Sequence, residues 1–173
     1  LILDGNPGEM LKVELGNGNE INIDLDDIHA AAIARSEALG GAAGKADLTK
    51  LTVDDYLKIL NDLAQPQLDA INSGKAESDK VGFKFTLAGD ESGIISMSDL
   101  KNVAEIKVAG DLANQYRTGI SAGEYNPGAT TTTVEVGQFV PPWKLVEDTN
   151  GIGEIHFMYG DQKIELDTNG LSE

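Results

Sequence analysis

At 173 residues the chain is long enough for one sizeable domain or two small ones, and its 40% hydrophobic content, arranged with clear periods, excludes a disordered chain. Its 29 acidic residues against 13 Lys and Arg give a formal net charge of −16, which opposes binding to nucleic acid or anionic lipid, because phosphate recognition needs clustered cations. The absence of cysteine excludes disulfides and thiolate-bound metal. No run approaches the length of a membrane span, and no charged-then-apolar signal segment opens the chain. It starts Leu1-Ile2-Leu3 rather than with Met, as expected of a fragment or processed product. High acidity, abundant Gly and Thr, few Arg and no Cys suit an exported bacterial surface protein.

The first elements are set by alternation. Leu11, Val13 and Leu15, then Ile21, Ile23 and Leu25, alternate with polar residues on either side of Gly16-Asn-Gly-Asn19. That cluster tolerates positive φ, so the segment reads as a β-hairpin with one buried face. Asp26-Asp27 then opens an alanine-rich run through Leu39, stopped by Gly40-Gly41, which predicts a helix over residues 26–39. Residues 40–46 read as a flexible connector and a domain boundary, giving expected domains of 1–45 and 46–173.

Thr52 is a good N-cap with Asp54 and Asp55 behind it, and Val53, Tyr56, Leu57, Leu60, Leu63, Ala64, Leu68 and Ile71 form an unbroken helical stripe. Pro66 is expected to kink or divide this helix, and Gly74 to end it. Short strands follow: residues 81–87, 94–97, 104–108 and the β-branched run Thr130 to Val136, with one helical turn expected over Ser98 to Asn102. After Pro141-Pro142, Glu154 to Tyr159 and Gln162 to Leu166 flank Gly160-Asp161 as a second hairpin. Helices early and strands late predict an α+β fold: an N-terminal β-hairpin and helix, then one amphipathic helix packed on a mainly antiparallel sheet.

Motifs for chemistry are sparse. His29 and His156 are the two histidines, neither with a partner at three- or four-residue spacing, and no His-Glu-x-x-His occurs. There is no Gly-x-Ser-x-Gly elbow and no phosphate loop; Gly40 to Gly44 follows a helix and lacks the anion-binding spacing. With 29 acids a coincidental carboxylate pair is expected anywhere, so none singles out a glycosidase. Asp148 to Glu154 and Asp167 to Glu173 each resemble part of a calcium loop without its full spacing, and Asn-Gly turns explain both. Tyr116, Tyr125, Phe139 and Trp143 are candidates for a sugar-stacking surface, though a chain with 5% aromatics needs them for its core. Thr130 to Thr133 is a candidate site for O-linked sugar. No catalytic, metal or cofactor site is assigned.

Residues 3–34 resemble a bacterial flagellin just after its N-terminal helices. The family carries a Leu-Asp-Gly element, here Leu3-Asp4-Gly5, followed by a strand pair in which Leu11, Val13, Gly18, Ile21, Ile23 and Leu25 occupy matching positions at matching spacing. A short Ala-rich element comes next, as Asp27 to Ala34 does here, while Glu14, Leu15 and Gly16 replace the usual Gly-Ala-Asn. The resemblance covers about a fifth of the chain and extends to the related hook–filament junction proteins. It implies a non-enzymatic structural subunit of an extracellular flagellar filament. Assembly with other copies would run through terminal helices outside this sequence, with residues 46–173 as a surface-exposed outer domain. Alternatives are a cell-surface module binding carbohydrate (surface glycans as partners) or calcium, or a virion structural protein. Neither nucleic acid nor membrane is expected as a partner.

Overall fold

The computed structural model describes residues 5–47, 49–88, 93–128 and 130–139, and beyond these the backbone of three strands within 144–167. The fold class is α+β, and every strand pairing is antiparallel. The chain divides into two compact units, residues 2–139 and, apart from residue 1, residues 140–173. The connector at residues 40–46 lies inside the first unit, where Gly41 N–H bonds Ser36 O and Ser36 Oγ donates to the carbonyl of Lys45. These bonds tie it back to the preceding helix rather than leaving it a loose boundary between residues 45 and 46.

Strands β1 (Met10–Glu14) and β2 (Glu20–Asp24) form the expected hairpin, with Leu11 opposite Ile23 and Val13 opposite Ile21. All four side chains are buried, so the period-2 pattern has become one face of a sheet. The turn uses left-handed backbone at Gly16, Asn17 and Gly18, with φ of 76°, 53° and 76°. Helix α1 (Leu25–Ala38) follows directly: the Asp24 carboxylate accepts from Asp26 N–H, and Leu25, Ile28, Ala32 and Ser36 face inward at helical spacing.

Helix α2 (Val53–Asn72) is a single element that passes through Pro66, a correction to the division expected there. Pro66 lies on the exposed face, where the carbonyl it deprives of a partner can bond water, while packing of the opposite face holds the helix together. Its start is a full capping box: Thr52 Oγ1 accepts from Asp55 N–H and Asp55 Oδ2 accepts from Thr52 N–H.

Strands β3 (Gly82–Leu87), β4 (Ile94–Lys101), β5 (Ile106–Ala109), β6 (Gly123–Tyr125) and β7 (Val134–Gln138) complete the first unit, with α3 (Gln115–Thr118) between β5 and β6. One sheet has the order β2-β1-β5-β6 and the other β3-β4-β7. The helical turn expected at Ser98 to Asn102 is instead the end of β4, because Lys84 pairs with Ser98 and Gly82 with Lys101; Asp99, at φ 55°, falls where the register shifts. The strand expected at Thr130 to Val136 begins only at Val134, opposite Met97, and Thr130 to Thr133 form an exposed loop. Among the described residues the run gains a single backbone bond from β4, Leu100 N–H to Thr132 O, and not a continuous ladder, so its propensity alone does not make it a strand.

The two sheets meet where the chain changes from one to the other. Ile120 bridges Gly137 and Ser121 N–H bonds Val136 O, so residues 120–121 lie along β7 just before residues 123–125 join β5. On the opposite side α2 packs against both β2 and β3. Leu57, Leu60, Ala64 and Leu68 from α2, Phe83 and Phe85 from β3, Ile95 and Met97 from β4, and Ile106 and Val108 from β5 are all buried.

In the second unit β8 (Lys144–Glu147), β9 (Glu154–Tyr159) and β10 (Gln162–Asp167) form a three-stranded meander, order β10-β9-β8. The hairpin expected about Gly160-Asp161 is present, with Tyr159 opposite Gln162.

Candidate functional site

The hairpin and the helix beside it are the part of the molecule to which the sequence ties a function. The outer face of β1 and β2 carries Lys12, Glu14, Glu20 and Asn22, all but Glu20 half-buried. Glu14 lies opposite Glu20, a like-charge pair relieved by Lys107 Nζ at 3.7 Å from Glu14 and by Asn22 Nδ2, which donates to Glu20 at 2.6 Å. A small concavity of about 140 Å³ sits at the hairpin tip, lined by Glu14, Glu20, Glu105 and Lys107 with the turn residues. It is well below the roughly 300–1,000 Å³ of a typical ligand pocket. A larger groove of about 560 Å³ is lined by Leu100, Asn102, Val103, Ala104, Pro127, Gly128 and Thr131. None of these carries a group that titrates near neutral pH, so the groove offers no general acid or base.

The carboxylates held below their ordinary range all have structural explanations. Asp55 is lowered by the Thr52 N–H, then by Arg35 and the Thr52 hydroxyl. Arg35 Nη2 stands 2.7 Å from Asp55 and joins α1 to α2. Glu9 is lowered first by its hydrogen bond from Arg117, 2.7 Å away, which ties the entry to β1 to α3. Glu77 is lowered by Lys80 and Lys101, and Asp47 by the hydroxyl and N–H of Thr49. The Tyr56 hydroxyl is pushed upward by burial in the core, and Tyr125 likewise by partial burial. The carboxylates are held by a helix cap, ion pairs and a local turn, and the two tyrosines by burial, so each shift has a local structural cause.

Among the described residues, those singled out from sequence lie apart and form no common site. His29 is half-buried on α1 and has an interaction partner. Tyr116 is 76% exposed on α3, whereas Tyr125 donates its hydroxyl to the carbonyls of Ser121 and Val136 and so serves the junction between sheets. Phe139 is half-buried and its N–H bonds Gly93 O. Trp143, the loops that open at Asp148 and Asp167, the side chain of His156, and Leu3-Asp4 lie outside the described residues. Among the described residues no group of three or more His, Asp or Glu side chains is placed to hold a metal ion, and no helix is long and apolar enough to cross a membrane.

Three residues that the sequence did not mark carry the most specific polar contacts of α2. Asn61 donates to Phe85 O at 2.9 Å and accepts from Phe85 N–H at 2.8 Å. Asn72 makes the same pair with Val81, at 2.7 and 2.8 Å, and Gln67 with Asn22, at 2.7 and 2.9 Å. The available signal was position: at about 100° per residue, Asn61 and Asn72 fall on one flank of the apolar stripe, and Gln67 is a polar residue within it, between Tyr56 and Leu60.

No family model, curated protein or solved structure matches the chain.

Proposed function

We propose that this chain is a region of a structural, non-enzymatic subunit of an extracellular bacterial filament of the flagellin kind. Residues 1–45 carry the part that resembles the flagellin core domain, and the remainder of the chain, of which residues 46–139 share a compact unit with it, would supply a surface-exposed outer region. The supporting observation is the order hairpin, cap, helix in residues 10–38. Leu11, Val13, Ile21, Ile23 and Leu25, five of the residues that carry the flagellin resemblance, are buried together, and Asp24 caps α1 without an intervening loop. Subunits would associate through helical segments outside residues 1–173, and the acidic surface would keep the exposed region soluble.

Sedimentation and electron microscopy of residues 1–173 alone test this. A folded monomer that forms no fibres is expected, since assembly resides elsewhere. Ordered filaments built by this segment alone would contradict it.

A further inference from the structure

A sheet normally ends in a strand whose outward N–H and C=O groups are open to another chain. Here the ends β2 and β3 both face the same helix. Asn22 lies opposite Lys12 at a position where N–H and C=O point away from β1, since the neighbouring ladder bonds, such as Leu15 N–H to Asn19 O, involve the odd-numbered residues of the hairpin. Phe85, opposite Met97, holds the equivalent place on β3, because Ala88 N–H bonds Ile94 O and even-numbered residues make the ladder. A primary amide presents one acceptor and one donor side by side, as a strand residue does. Asn61, Asn72 and Gln67 each offer that pattern to one backbone residue, Phe85, Val81 and Asn22 respectively.

We propose that α2 takes the place of a terminal strand for both sheets, Asn61 closing β3 with Asn72 holding Val81 at its entry, and Gln67 closing β2, so that neither edge accepts a strand from a second copy of this chain. The inference is independent of the filament reading, because it concerns how the first unit ends its own sheets.

Native-state hydrogen exchange on the unaltered chain is the first test. Asn22, Val81 and Phe85 donate their N–H groups to α2 side chains and should exchange within about tenfold of interior α2 amides such as Leu60. Exchange of these three near unprotected rates, with α2 itself protected, would overturn the proposal.

The second test asks whether the amide pattern matters. The carboxylate of Asn61→Asp accepts from Phe85 N–H but repels Phe85 O. Once protonated, the introduced carboxyl again donates and accepts as an amide does. Its melting temperature should therefore lie below that of Asn61→Leu at neutral pH and above it at pH 3. An order unchanged with pH would contradict the pairing.

The third test addresses closure. Asn61→Ala and Gln67→Ala leave the stripe intact and should self-associate as concentration rises, with Lys58→Ala monomeric beside them. Folded variants as monomeric as that control would overturn the claim. The exchange test decides the substitution of α2 for a strand whether or not a variant folds.

Discussion

Asp55 shows how much one side chain can join. Its carboxylate, 11% exposed, caps α2, bonds Arg35 of α1 and lies at the entry to the longest helix of the first unit. Because its folded pKa is lowered, its stabilising contribution is present above the ordinary aspartate value near 3.9 and is lost as pH falls through the lowered folded value. Asp55→Asn should therefore melt below the unaltered protein at pH 7, with the difference closing as pH falls below the ordinary aspartate value of about 3.9. A gap that persists undiminished at pH 2 would remove ionisation from the explanation. Gly137 is the steric counterpart: a Cβ there would overlap Gly119 O and Ile120 Cα, where the two sheets meet. Gly137→Ala is expected to cost more than about 1 kcal/mol in denaturant unfolding, against the slight gain Gly→Ala gives at unconstrained sites.

At the scale of elements, α2 is held by its cap, its stripe and its amides. Thr52→Ala should cost about 1 kcal/mol through the lost cap. Leu60→Ala, at a fully buried position, should cost about 2–5 kcal/mol. Equal losses from the two variants would mean the stripe is not the main anchor. The hairpin and α2 were legible because burial repeats the period of the sequence, two for Leu11 and Val13 and about four for Leu57, Leu60, Ala64 and Leu68, and α1 because its acidic first turn and glycine stop mark its ends. Elements decided by distant partners were not. The threonine run has the propensity for a strand but gains from β4 only a backbone bond from Leu100 N–H to Thr132 O among the described residues, while Ser98 to Lys101 join a strand because β3 lies alongside. The short β6 and α3, with β8, carry too few residues for a period to show. The same limit hid the amides of α2: Asn61, Gln67 and Asn72 look like ordinary polar positions until the edges of β2 and β3 are known.

At the scale of the whole molecule, the excess of acid dominates. A net charge of −16 is self-repelling, and the ion pairs among the described residues are mostly exposed pairs of small value. Raising the salt from low ionic strength past about 0.15 M should therefore raise the melting temperature, because screening weakens repulsion more than it weakens a few surface pairs. A fall would mean that specific pairs outweigh the net field. The acidic surface, the absence of cysteine and the hairpin leading straight into α1 are the features that support the proposed subunit, whose outer region would face solvent. Immunogold electron microscopy with antibody against residues 46–173, on whole cells and on thin sections of cells that express the chain, tests that account most directly. Gold along extracellular filaments is the expected result; gold confined to the cell interior or to virus particles would contradict it.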